Sequence, residues 1–145
     1  MTIERNDSNL QDQKLNVKVK LALFWVALMF LFVYNDILSM YQPGHVSDLV
    51  EGHIEGVIFT PSMLIGAALL MALPSFMILF SLVLKASWSR IANIGVGIFQ
   101  IVVLIGTQFI GDSETWTYWR LNELFELVFM VLIIRTAWEW PRVES

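Results

Sequence analysis

The chain has no cysteine. Disulfide staples, thiol nucleophiles and thiolate metal sites are therefore excluded. So is kinship with the membrane thiol oxidoreductases, which have a similar number of spans. Charge is sparse: Asp, Glu, Lys and Arg make up 15% of the residues, with a formal net charge of −4. No glycine-rich phosphate loop, Ser-His-Asp set, HExxH pair or basic nucleic-acid patch occurs. No motif calls for a cofactor, and nucleic acid is not an expected partner. There are two histidines, His45 and His53, in an acidic segment with Asp48, Glu51 and Glu55. They are the weak candidates for a metal site, but their spacing fits no metal motif, and histidines eight apart on a surface segment are ordinarily solvated.

What the chain has instead is apolar length. Of its 145 residues 57% are hydrophobic, with mean hydropathy +0.65, against roughly 45–50% apolar residues in soluble domains. Four stretches, 21–41, 62–84, 91–110 and 116–140, are each long enough to span a bilayer, since a helix needs ~20 mostly apolar residues for that. The expected fold is an all-α membrane four-helix bundle, with a polar cytoplasmic tail over 1–20 and a four-span membrane domain over 21–145. No second domain fits. The first stretch is longer than the 7–15-residue core of a cleaved signal, and no small-residue cleavage site follows it.

Lys and Arg orient the spans. Arg5, Lys14, Lys18 and Lys20 precede the first, Lys85 and Arg90 lie between the second and third, and Arg135 and Arg142 close the chain. The other two links carry Asp48, Glu51, Glu55, Asp112 and Glu114 and no basic residue. Both termini are therefore expected in the cytoplasm. So uniform a bias argues against the small multidrug exporters, which insert in both orientations.

Aromatic residues mark the expected interfaces: Tyr34, Tyr41, Trp116, Tyr118 and Trp119 at the outer ends, and Trp88, Trp138 and Trp140 at the inner ends. An aromatic belt explains them better than a cofactor box. In the first outer link, Val46, Leu49, Val50, Ile54, Val57 and Ile58 recur at helical spacing, which predicts a short surface helix, weakened by Gly52 and Gly56. Thr60-Pro61 reads as the N-cap and first residue of the next helix. In that span Ser62 and Gly66, and Ala68 and Ala72, are four apart, a spacing that lets helices approach closely in lipid. Pro74 frees a carbonyl near residue 70.

The chemistry-bearing residues lie where a membrane disfavours them. Asn35 and Asp36 fall about fifteen residues into the first span; Arg120, Glu123 and Glu126 fall in the first three turns of the fourth. A buried charge costs a few kcal/mol even on lenient insertion scales, so these side chains should face protein or water. At about 100° per residue, Arg120, Glu123, Glu126 and Met130 share a face. Asn93, Gln100 and Thr107, seven apart, form a stripe on the third span, with Gln108 close to it. The expectation is one polar cluster in the outer half: Asp36, Glu126, Glu123, Arg120, Asn35, Gln100, Thr107 and Gln108. Arg120 can neutralise one or two carboxylates through its planar fork, which leaves at least one acid without a cation. Intramembrane polar groups also serve simply to tie helices together, and that reading stands beside the site reading.

Tyr34-Asn35-Asp36-Ile37-Leu38-Ser39, Pro43-Gly44, Thr60-Pro61, Pro74 before Met77-Ile78-Leu79, and the closing Ala137-Trp138-Glu139-Trp140 resemble a family of small bacterial four-span membrane proteins known only as a domain of unknown function. The resemblance runs from about Lys18 to the end. It implies a bacterial inner-membrane location and four helices, and it brings no activity or site residues with it.

The sequence thus favours a membrane protein that binds or passes a small polar or cationic solute, or that assembles with a membrane partner. Its partners would be the lipid bilayer and a second copy or another membrane protein, since four helices leave little room for a pore. The alternatives are a small membrane enzyme using Asp36 and Glu126 as an acid–base pair on a lipid-soluble substrate, and a purely structural subunit.

Overall fold

The computed structural model describes residues 14–54, 57–109 and 116–141. Arg5, Glu55, Gly56, Asp112, Glu114 and Arg142, used above in reading topology and the outer link, lie outside the described residues. The chain is helical, with five helices and one small hairpin among the described residues: α1 Val17–Ser39, α2 His45–Glu51, β1 His53–Ile54, β2 Val57–Ile58, α3 Pro61–Val83, α4 Ala86–Thr107 and α5 Thr117–Trp138. Three helices, α1, α3 and α4, are long and apolar enough to cross a membrane. The fourth long helix, α5, matches them in length but carries Arg120, Glu123, Glu126 and Arg135.

Helix ends follow local capping rather than hydropathy. α1 starts four residues before the apolar stretch, because the Asn16 side chain accepts from the Lys18 N–H at 2.9 Å. Thr60 Oγ1 accepts from the Met63 N–H at 3.2 Å, and Pro61 takes the first helical position as expected. α4 begins at Ala86 rather than near 91, so Ser87, Trp88 and Arg90 extend the helix beyond its apolar part.

The outer link does not form the single surface helix expected over Val46 to Ile58. α2 stops at Glu51 because Gly52 adopts φ +82, a left-handed conformation that terminates helices. The chain then pairs antiparallel, His53 with Ile58 and Ile54 with Val57. Val50 and Ile58 are exposed.

The long helices pack in the cyclic order α1, α3, α4, α5, each against the two beside it in that ring. One end of the ring carries Lys18, Lys20, Lys85, Arg90 and Arg135; the other carries Asp48 and Glu51. The basic end holds most of the core: Leu21, Trp25 and Leu28 of α1, Met77 of α3, and Ile133 and Ala137 of α5 are buried. A polar network runs through it. Trp25 Nε1 donates to Asn93 Oδ1 at 2.7 Å, Ser81 Oγ donates to the same oxygen at 3.1 Å, and Asn93 Nδ2 donates to the Ser89 carbonyl at 2.8 Å. This ties α1, α3 and α4 together.

Two basic residues at this end also close helix termini. Lys18 Nζ donates to the Leu82 carbonyl at 3.2 Å and to that of Leu84, at the end of α3. Arg90 Nε donates to the Ala137 carbonyl at 3.2 Å, in the last turn of α5, and its guanidinium lies 5.6 Å from the Trp138 ring. Cations here complement the negative ends of the helix dipoles.

The tight helix approach is at Gly97, where an added Cβ would lie 2.8 Å from Ile134 Cγ1. Among the described residues Ser62, Gly66 and Ala68 of α3 serve no such contact: Gly66 has nothing within 4 Å of a Cβ position, and residues 61–69 are all exposed. The helices therefore pack densely toward the basic end and part toward the acidic end.

Candidate functional site

A cavity of about 230 Å³ opens where the helices part. All four long helices line it. α1 supplies Phe32, Asn35 and Asp36; α3 supplies Leu70 and Met71; α4 supplies Gln100, Val103, Leu104 and Thr107; α5 supplies Trp119, Glu123, Glu126 and Met130. The lining combines polar side chains with aliphatic and aromatic ones.

Six of the eight residues expected to cluster do so: Asn35, Asp36, Gln100, Thr107, Glu123 and Glu126. Arg120 and Gln108 do not line the cavity. They form a rim network with Glu123. Arg120 Nη1 donates to Glu123 Oε2 at 3.1 Å and to Gln108 Oε1, while Gln108 Nε2 donates to Glu123 Oε1 at 2.6 Å and to the Leu104 carbonyl at 3.3 Å. The Arg120 side chain is 55% exposed against 16% for Glu123. Its long stem carries the charge outward while its fork still reaches the carboxylate, as long basic side chains do at an interface.

Glu126 is the deepest acid, 5% exposed, and its Oε1 accepts a hydrogen bond from Asn122 Nδ2, one turn earlier on α5. Asn122 was not anticipated, although its i,i+4 spacing to Glu126 is the signal that could have found it. No hydrogen bond or ion pair reaches the Asp36 carboxylate among the described residues. One turn on, Ser39 Oγ donates to the Asp36 carbonyl at 2.6 Å and lies 3.2 Å from His45 Nε2. Thr107 Oγ1 is engaged with the Leu104 carbonyl at 2.7 Å.

Two carboxamides in the lining lack partners. Gln100 is 2% exposed and its Nε2 finds no acceptor; Asn35 Oδ1, also buried, finds no donor. Asn93, the third member of the α4 stripe, lies closer to the basic end and is fully satisfied there. Pro74 has no N–H to offer the Leu70 carbonyl, and Leu70 lines the cavity, so the freed carbonyl expected from the sequence belongs to a lining residue.

The histidines go elsewhere. His45 is buried against Ser39, and His53 Nε2 pairs with Glu51 Oε2 at 3.2 Å. Among the described residues, no three of His, Asp or Glu come together as a metal site would need.

The apolar lining, Phe32, Leu70, Met71, Val103 and Leu104, was not anticipated as part of a site. Nothing in the sequence distinguishes these positions from lipid-facing ones. The profile of a family of unknown function matches residues 9–145. No curated protein and no solved structure matches the chain.

Proposed function

The chain belongs to this family, DUF6326, and we propose that it is a four-span integral membrane protein whose outward-facing cavity binds a small cationic solute. In this reading α5 is the fourth span. Its charges support that role: Glu123 and Arg120 neutralise each other at the rim, and Glu126 is buried against Asn122. The described Lys and Arg residues other than Arg120 gather at one end of the helices. By the positive-inside rule that end is cytoplasmic, with both termini. The membrane is the bacterial inner membrane, as the family resemblance implies.

The observation that carries the solute reading is the cavity itself, lined by Asp36 and Glu126 with neither paired to Lys or Arg. If polar side chains served only to tie helices together, Arg120 and the amides would have been expected to engage the whole cluster. They engage Glu123 and, through Asn122, Glu126; among the described residues the Asp36 carboxylate has no hydrogen bond, and Asn35 Oδ1 and Gln100 Nε2 are left without partners. An ammonium or other cation in the cavity supplies the missing charge.

The test is the thermal stability of purified protein in detergent, titrated with sodium and simple ammonium chlorides at constant ionic strength, for wild type and Asp36→Asn. Saturable stabilisation of the wild type by a cation, lost in a folded Asp36→Asn, is the expected result. An Asp36→Asn that fails to insert or unfolds, or a wild type indifferent to every cation, overturns the proposal in favour of a structural role.

A further inference from the structure

We propose that the ligand is a small protonated amine whose carbon skeleton also carries a neutral hydrogen-bond acceptor, a hydroxyl or carbonyl. This deepens the reading above and rests on it. Four features of the cavity each narrow the chemistry.

The acids set the charge. Asp36 and Glu126 line the cavity without a Lys or Arg partner, and Glu123 adds a third carboxyl group already held by Arg120. Carboxylate and phosphate ligands are repelled.

The amides set the hydrogen-bond pattern. Asn35 Oδ1 is buried without a donor among the described residues, so the ligand must bring an N–H or O–H. Gln100 Nε2 is buried without an acceptor, so the ligand must also bring a lone pair. The two carboxamides are on α1 and α4; in this proposal the ligand's hydroxyl accepts from Gln100 and its hydroxyl or ammonium donates to Asn35, while the ammonium faces the acids. A bare metal ion leaves Gln100 Nε2 unsatisfied, because an N–H cannot ligate a cation.

The apolar lining sets the body. Phe32, Leu70, Met71, Trp119 and Met130 give a hydrated inorganic ion nothing to contact, whereas a hydrocarbon chain or ring buries against them, with aromatic faces available to the cation. The volume sets the size. About 230 Å³ equals roughly eight water molecules at ~30 Å³ each, which suits a molecule of about ten non-hydrogen atoms and falls below the ~300 Å³ at which drug-sized pockets begin.

The experiment is isothermal titration calorimetry on the full chain in detergent with four probes: 2-amino-1-phenylethanol, its N,N,N-trimethyl derivative, 2-phenylethylamine and sodium chloride. The amino alcohol should bind tightest. Removal of the hydroxyl should weaken binding about tenfold, the worth of one buried hydrogen bond near 1.4 kcal/mol, and the trimethyl compound, which keeps the hydroxyl but exceeds the size the cavity suits, should bind more weakly than the amino alcohol. In Gln100→Leu the amino alcohol and 2-phenylethylamine should bind alike, which ties the hydroxyl to that amide; should this variant fail to fold, Asn35→Leu makes the same comparison from the other side of the cavity. Equal binding of the trimethyl compound or sodium, with Asp36 dependence, overturns this ligand assignment and leaves a cation site. Binding of none of the four overturns both.

Discussion

Replacing Asn93 by Ala should destabilise the protein by about 2–3 kcal/mol, and the largest single share of that cost should be traceable to one partner. Asn93 is fully buried and makes three hydrogen bonds of good length. They are not equally dear to lose. The Ser89 carbonyl belongs to a helix and has its own backbone donor. Ser81 Oγ keeps the Met77 carbonyl as an acceptor at 2.7 Å. Trp25 Nε1, a donor in a fully buried side chain, bonds to Asn93 alone among the described residues. A stranded buried donor costs about 1–3 kcal/mol, and the small cavity left by truncation adds to it. The assay is reversible unfolding in mixed detergent, followed by tryptophan fluorescence, on wild type, Asn93→Ala, Trp25→Phe and the double variant. The coupling energy should lie between about 0.6 and 1.7 kcal/mol, the mean and upper end found for interhelical hydrogen bonds in membranes. Zero coupling, or an Asn93→Ala indistinguishable from wild type, would refute the idea that this network fastens the basic end.

Gly97→Ala should destabilise by about 1–3 kcal/mol through overpacking, because its Cβ would lie 2.8 Å from Ile134 Cγ1; chemical unfolding should show Gly97→Ala/Ile134→Ala losing less than the two single variants summed. Lys18→Met should cost about 0.3–1 kcal/mol by uncapping the Leu82 and Leu84 carbonyls, read as a lower melting temperature in detergent, and an unchanged value would reduce Lys18 to an orienting charge. Because the chain has no cysteine, single introduced thiols report topology cleanly: an impermeant maleimide should label Ser47→Cys on intact spheroplasts and Ser87→Cys only after lysis, and the reverse pattern would invert the proposed orientation.

The sequence announced the long helices because a bilayer-length apolar run is unmistakable, but it misplaced their ends. Hydropathy marks where lipid begins, whereas Asn16, Thr60 and Gly52 mark where backbone hydrogen bonding starts and stops. α1 and α4 accordingly run past their apolar parts, and Gly52 turns an expected surface helix into a helix and a hairpin. In the site, phase along a helix carried most of the information. Asp36, Gln100, Glu123 and Glu126 converge because residues three, four or seven apart share a face. Phase says less about height: Asn93 shares the stripe with Gln100, yet seven residues, about 10 Å of rise, put it in the packed half. Nor does phase say where a long side chain ends, so Arg120 was expected inside and lies at the rim. The apolar lining was illegible because most residues of each long helix are apolar; which of them face a void depends on how far the helices part.

The contrast between Asn93 and Gln100 bears hardest on function. Both are buried carboxamides on one face of one helix. Near the basic end the carboxamide draws three partners from α1, α3 and its own helix. Two turns away the same chemical group lines a cavity with Asn35, and its Nε2 finds no acceptor among the described residues. A helix-fastening role accounts for the first and leaves the second unexplained, since a bundle that gained only by polar contacts would have closed on Gln100 as it does on Asn93. The closure is absent where the acids gather: Asp36 and Glu126 would be pressed together if α1 and α5 drew in, and Arg120, engaged with Glu123 and Gln108, is not within the lining to compensate. The acids and the two unpartnered amide atoms thus share the open end. In the reading proposed above, a cation that also offers hydrogen-bonding groups would answer both features at once, so the inferred ligand would also complete the packing of the cavity.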